Sequence, residues 1–531
     1  MGYARSRTTG RTPVRSILDP LAVRPERTIL DPVDPNERQR APWVVLKFGG
    51  TSVASIQRWK TIAEVLRERV AVGERPVVVC SALAGESDLL ESLMARAEAG
   101  EDIRPALGEV ASTHRALARD MQLDADEVIG DLLDELERLA RGAHMLQEAS
   151  PRVRARIMSM GELMSTRLGA AWLETQGLRT SWQDAREQLT SLSNPHTLAT
   201  SPERYYLSAS CSSEADPALQ ERMASEDAQV WITQGFIASD TAGDTVLLGR
   251  GGSDTSAAYF AARLGALRLE IWTDVPGLFT ANPRTVPDAR LLRRLRYREA
   301  EEMALLGGRV LHPRCIGPVA THHIPLYVKC TLAPKMVGTI ISSSVSGGEP
   351  RLKAVSLREG MQLFSVEPDR GLQNVGVLAE SSSCFAKWNL SIDIVAASET
   401  SITFCIDPAN NPVDETVVAG LLTDLRAVAQ AREVDRGAAL SLVGTNIHGI
   451  FDRLGPIFEY FRDHDVHMVS QAADDSNFTM VVSEENPNQL LRDVHARLFP
   501  KDLDDPIFGP AWNSMFCRGD DGSLELIEKG Q

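Results

Sequence analysis

The stretch Val44-Val45-Leu46-Lys47-Phe48-Gly49-Gly50-Thr51-Ser52 constrains this chain more than any other, because an apolar strand delivers a lysine straight into two glycines and two hydroxyls. Gly49 and Gly50 leave backbone N–H groups uncovered for an anion, and Lys47 adds a point charge beside them. Apolar residues at 56, 62, 63, 65 and 66 follow at helical spacing, so the glycines sit where a strand turns into a helix with its positive N-terminal end. An anion site of the phosphate type is one reading of the stretch, and a plain tight turn is the other.

Around that turn the chain alternates. Strands over 43–48, 76–80, 229–238 and 268–273 are separated by helices near 55–71 and 253–265 and by long helical stretches across 88–175, which predicts an α/β layered domain over 43–345. Its strands are continuous apolar runs, such as Pro76-Val77-Val78-Val79-Cys80, as expected where helices cover both sheet faces, and sites in such sheets lie beyond the strand carboxyl ends. Four serines between 342 and 346, then Gly347, Gly348 and Pro350, make 346–360 a linker and strand. Beyond it, a shift of 76 residues lays Leu378 on Leu454, Phe385 on Phe461 and Thr403 on Thr479. That pattern predicts two copies of one α+β unit, over 361–438 and 439–499, followed by a tail over 500–531. Residues 1–42 carry eight arginines and six prolines and read as a disordered leader, with an organelle-targeting peptide as the lesser alternative.

Composition removes several classes of function. A net charge of −16 argues against a nucleic-acid partner. Seven cysteines without a C-x-x-C pair fit neither a disulfide framework nor a zinc ribbon, and a reducing cytoplasm is the expected compartment. No run approaches the roughly 20 apolar residues that cross a bilayer, so no membrane partner is expected. No Gly-Lys pair exists for a P-loop, and His322-His323 and the His464/His467 pair lack further ligands at metal spacing, so no protein-bound metal is expected.

Four further segments carry chemistry. Leu248-Gly249-Arg250-Gly251-Gly252-Ser253-Asp254-Thr255-Ser256 is a second glycine-rich loop before a helix of small residues. In it Arg250 offers a planar fork to a carboxylate, Ser253 caps the helix or holds a ligand, and Asp254 can orient an ammonium group or a lysine. In Ser159-Met160-Gly161-Glu162-Leu163-Met164-Ser165-Thr166, Glu162 reads as the acid opening a helix, where a dipole complement is the plain explanation. Ile271-Trp272-Thr273-Asp274-Val275-Pro276-Gly277-Leu278-Phe279-Thr280-Ala281-Asn282-Pro283-Arg284 is a strand end running into a turn, well placed for a nucleotide. In Glu302 to Pro313, Gly307 and Gly308 let Arg309 approach a phosphate.

Taken in order, KFGGTSVAS, SALAGESDLL, SMGELMST, LGRGGSDTSA, IWTDVPGLFTANPR and EEMALLGGRVLHP, followed by two repeated units, resemble the aspartate kinases over about residues 43–499. The resemblance implies a three-layer α/β/α amino-acid-kinase (carbamate-kinase-like) domain and two α+β ACT domains. It also implies phosphoryl transfer from ATP, with Mg²⁺, to the side-chain carboxylate of L-aspartate, the first step towards lysine, threonine and methionine. By the same match Lys47 bridges the carboxylate and the moving phosphoryl group, and Asp254 orients it. Arg250 and Ser253 hold substrate carboxylate, Glu162 pairs with the α-ammonium group, and Ser87 stands where threonine is usual. Gly49, Gly50, Thr51, Thr273, Asp274, Phe279, Arg284, Arg309 and Val310 map to the nucleotide. Phe279 replaces a tyrosine, Asn282 an aspartate and Arg309 a lysine, which puts nucleotide affinity in question. The ACT units resemble those of lysine-sensitive members, so Asp393 and Ser398 would contact the effector, L-lysine, above the turn at Val375 and Val377, in a homodimer or homotetramer. A catalytically weakened amino-acid sensor, or a superfamily member acting on another substrate, is the competing reading.

Overall fold

In the strand Trp43–Phe48, Val44, Val45 and Leu46 are all fully buried although successive side chains point to opposite faces, so both sides of the sheet are covered. The computed structural model describes residues 42–531 except 308–309, 344–348, 369–375, 410, 412, 463, 474, 502–504, 519–523 and 528–531, and the leader expected over 1–42 lies outside these but for Pro42. The strand is central in an eight-stranded mixed sheet ordered Thr180–Gln183, Val230–Gln234, Arg75–Cys80, Trp43–Phe48, Arg268–Thr273, Leu326–Cys330, Thr339–Ile341 and Arg294–Leu295. Its middle is parallel, with Lys47 beside Val79 on one side and Ile271 on the other. Buried Ala257, Ala258, Ala261 and Ala262 allow the helix Gly252–Leu264 to lie close on this central strand.

The helical stretch across 88–175 divides into Glu86–Glu98, Arg104–Asp120, Ala125–Leu146 and Pro151–Thr175. Contrary to the expectation from its segment, Glu162 does not open a helix. The last of these helices starts at Pro151, behind the Ser150 cap, and Glu162 lies three turns inside it. Gly161 is there for packing, since a Cβ at that position would stand 2.9 Å from Ala82 Cβ and 3.2 Å from Glu86 Cγ.

The two repeats share one six-stranded antiparallel sheet, and the strand Arg351–Glu367 runs through both. Its second half pairs with Ile402–Ile406 and with the start of Gln430–Thr445, completing the first repeat. Its first half pairs with the rest of Gln430–Thr445, which also carries Asn477–Ser483, so the second repeat takes an outer strand that precedes the first repeat in sequence. The ladder shifts register between Arg358 and Met361, at Gly360 with φ +73. The copies also differ in their first helix. Val377–Lys387 is α-helical, whereas Gly455 and Pro456 break the second copy into short turns from Ile447 to Phe461.

The second repeat is docked on the kinase-like domain. Lys353 Nζ lies 2.5 Å from Glu299 Oε2, both nearly inaccessible, Thr445 donates to the same carboxylate, and Asn477 donates to Glu302. Burial of the Lys353–Glu299 pair is tolerated because each charge is matched and the carboxylate has a second donor.

Candidate active site

Lys47 Nζ lies 2.7 Å from Asp254 Oδ1, and each side chain is only about one-eighth exposed. The lysine comes from the end of the central strand and the aspartate from the first turn of the Gly252–Leu264 helix. That helix begins from Gly251, whose φ of +67 suits glycine and where a Cβ would strike the His312 ring. Because Gly251 is the N-cap, Ser253 does not cap the helix; it is half-buried against Gly235. Gly50 has its own close neighbour, as a Cβ there would meet Ala82 O at 2.8 Å. The Ser81–Gly85 loop is thereby laid on the lysine turn, with Ser87 exposed in the first turn of the helix that follows. Thr51 is exposed, and the buried Ser52 Oγ has no hydrogen-bond partner among the described residues.

Glu162 faces this loop from below. It is 3% exposed, and burial pushes its carboxyl up to about 8, against the pull of the Ala82 N–H and the charge of Lys47. Its Oε2 has no partner among the described residues. Beside it Glu86, equally buried, is pushed up to about 7 by burial and by Glu109. His114 Nδ1 donates to Val110 O at 2.9 Å and lies 4.0 Å from Glu86 Oε1, and burial lowers the ring's proton affinity. Glu86 and His114 escaped the sequence reading: an acid at a helix start and a histidine in an amphipathic helix look the same whether they face solvent or a buried pocket.

Arg250 is exposed on the rim, where its Nη1 donates to Ala409 O of the first repeat at 3.1 Å. A cleft of about 450 Å³ there is lined by Ser208, Arg250, His312, Arg314 and Ala409.

Thr273 ends the strand next to Lys47, and its hydroxyl donates to Asp274 Oδ1 at 3.0 Å. The following loop becomes a hairpin, with Thr280 N bonded to Arg290 O at 2.9 Å and Leu292 N to Leu278 O at 2.8 Å. Asn282 Oδ1 accepts from Arg284 N at 3.1 Å, so the residue in the aspartate's place serves the turn, and Arg284 is exposed. Phe279 is 5% exposed, its ring edge-on to Trp512 at 5.4 Å. Val310 is half-buried, and Arg309 lies outside the described residues.

In the first repeat Asp393 is already engaged. Its Oδ1 accepts from Arg358 at 3.0 Å and its Oδ2 from Asp407 N at 2.8 Å. Ser398 accepts from Thr400 N and Ser401 N in a tight turn, at the other end of the strand Ile394–Ala397. The structure does not bring these two side chains together. Val377 begins the helix Val377–Lys387, and Val375 lies outside the described residues. Lys47 and Asp254, by contrast, meet at the carboxyl end of the sheet, with Glu162 against the Ala82 loop near them and Thr273 one strand away.

Residues 42–330 match the model of the Amino acid kinase family. The chain is 32% identical over 464 residues to lysine-sensitive aspartokinase 3 of Escherichia coli, covering 86% of this chain and 99% of that protein. It is 30% identical to the chloroplastic aspartokinase 2 of Arabidopsis thaliana, over 86% of this chain and 84% of that one. Among solved structures it is similar to E. coli aspartokinase III in complex with aspartate and ADP, the R-state, with a TM-score of 0.73 and 29% identity over 86% of this chain and 99% of that one. The same enzyme with lysine and aspartate, the T-state, gives 0.66 over the same shares. Among the described residues no helix is long and apolar enough to cross a membrane.

Proposed function

Since the chain belongs to the aspartokinases of the amino acid kinase family, we propose that it transfers the γ-phosphoryl group of ATP to the β-carboxylate of L-aspartate at the Lys47 turn. A carboxylate oxygen attacks phosphorus in line, the bond from phosphorus to the β,γ-bridging oxygen breaks, and 4-phospho-L-aspartate and ADP leave. The nucleophile is already ionised at neutral pH, so positioning and charge stabilisation are the protein's work rather than base catalysis. Lys47, held by Asp254, places a fixed positive charge where negative charge moves from carboxylate to leaving phosphate. Gly49, Gly50 and Thr51 offer N–H donors to the phosphates, with Thr273, Asp274, Arg284, Arg309 and Val310 on the nucleotide side. Mg²⁺ would be carried by the triphosphate, where it would offset the charge of the phosphate oxygens. Glu162 takes the substrate ammonium group, while Arg250, Ser253 and Ser87 take its carboxylates.

The observation that carries this reading is a close Lys47–Asp254 pair beside a buried glutamate with an unpartnered oxygen. A buried carboxyl left in that state needs a polar partner, and a substrate ammonium group supplies one. Hydroxamate formation from ATP, Mg²⁺ and L-aspartate tests it. Product that disappears in Lys47→Ala supports the assignment, whereas a variant as active as the parent would remove Lys47 from the site.

For regulation, the reading is lysine binding at the first repeat of a cytoplasmic homodimer or homotetramer. Asp393 would have to exchange Arg358 for the effector's ammonium group.

A further inference from the structure

Beyond the second repeat, the segment 505–518 has no assigned task, yet it is built onto the loop that carries Asp274 and Arg284. Phe508 and Ala511 pair with Leu292 and Arg290, adding a strand to the outer limb of the hairpin. Main-chain bonds run from Arg293 N to Ile507 O at 2.8 Å, from Trp512 N to Ala289 O at 2.8 Å and from Asn513 N to Pro287 O at 3.1 Å. Arg290 Nε donates to Gly509 O at 3.0 Å, its guanidinium 5.5 Å from the Phe508 ring centre, and Asn513 Nδ2 donates to Asp288 Oδ1 at 2.6 Å. Trp512 lies between two rings, edge-on to Phe279 and stacked at 4.6 Å on Phe516. On another side His495 Nε2 is 2.8 Å from Thr280 Oγ1, the same oxygen that accepts from Arg290 N.

A two-stranded ribbon is marginal by itself, and ordering such a loop upon binding weakens a ligand by the conformational freedom that is lost. Here the hairpin gains a third strand and an aromatic cover from residues more than 200 positions away. We infer that the 505–518 segment is a positioning element of the nucleotide site: Trp512 fixes Phe279 and, through it, the loop presenting Asp274 and Arg284 to ATP. This rests on the reading of that loop as the ATP side.

The test is steady-state kinetics on four full-length variants, with melting temperatures alongside. Freeing the loop in Trp512→Ala is expected to raise KM for ATP about tenfold while KM for aspartate and kcat stay within about twofold, and Trp512→Phe is expected to restore the parent value. Asn513→Ala, on the exposed side of the same strap, is expected to raise KM for ATP about two- to threefold and decides the matter if Trp512→Ala does not fold. Arg284→Ala reports on the loop itself. If Arg284→Ala raises KM for ATP while the Trp512 and Asn513 variants alter both KM values in parallel, or neither, the segment is ordinary packing and the inference fails. If Arg284→Ala leaves KM for ATP unchanged, the assignment of the loop to ATP falls, and the inference with it.

Discussion

The proposed aspartate side and the proposed ATP side of this site are held in opposite ways. Lys47, Asp254 and Glu162 stand on a central strand, a helix start and the middle of a long helix, all nearly shut off from water. The proposed ATP side is a strand end and a hairpin with two supports, His495 from the last helix of the second repeat and Trp512 from beyond that repeat. Charges that must be desolvated to act are thus fixed by the rigid sheet. A loop that must admit and release a nucleotide is propped from outside, where a small change of packing can alter its order.

The largest break in that contrast is expected from Lys47→Ala. Removing a preorganised charge at the transferring group should lower kcat/KM for both substrates by about a hundred- to thousandfold. The melting temperature should fall as well, because Asp254 is left without its cation in a site nearly closed to water, so the kinetic loss is read on protein that is still folded at the assay temperature. An equal loss measured only in KM for ATP would place Lys47 on the nucleotide side alone.

Next comes Glu162. With its carboxyl pushed up to about 8, the empty site holds it protonated at neutral pH. Log kcat/KM for aspartate should therefore rise by about one decade per pH unit on the approach to pH 8 and level above it, as for a single essential base. In Glu162→Gln the rise should vanish, with kcat/KM for aspartate down about ten- to a hundredfold and KM for ATP nearly unchanged. Stability should move the other way. The folded value lies above the ordinary value of 4.5, so the folded state holds more protons between them, and stability falls as pH rises from about 4.5 to 8. Glu162→Gln should accordingly melt higher than the parent at pH 9, and a lower melting point would show that the carboxylate is compensated when empty.

The sequence made the Lys47–Asp254 pair legible because its chemistry is local: Lys47 precedes its glycines directly, and Asp254 follows its own loop. Strand, turn and helix start fall within nine residues in each case, and hydrophobic pattern fixes their place in the sheet. Three features were not legible. Glu162 sits inside a helix because Gly161 serves a contact with Ala82, a requirement that only tertiary packing reveals. Strand 351–358 completes the second repeat across 80 residues of intervening chain, and strand pairing carries no mark of partner in one sequence. Phe279 fits a nucleotide motif by spacing, but its ring faces Trp512, which no motif contains.

The smallest expected effect concerns the contact of Arg250 with Ala409, through which the first repeat reaches the proposed aspartate side. Arg250 donates to Ala409 O, Ala409 N donates to Asp407 Oδ1 at 2.9 Å, and Asp407 shares Arg358 with Asp393. A ligand ammonium group on Asp393 would compete with Arg358, loosen Asp407 and shift the carbonyl that Arg250 now holds. Coupling through such a chain of exchangeable bonds is of the order of 1–3 kcal/mol, a few-fold to about a hundredfold in affinity. Cutting one link should remove only part of it. Asp407→Ala should raise the lysine concentration for half-inhibition by about two- to fivefold, with kcat and both KM values in the absence of lysine within about twofold. Since Asp407 touches neither substrate in this reading, a matching loss of basal activity would mean that its loop shapes the cleft directly. Unchanged lysine sensitivity would mean that the signal reaches the site through the docked second repeat instead, and the Lys353–Glu299 pair would then be the next link to cut.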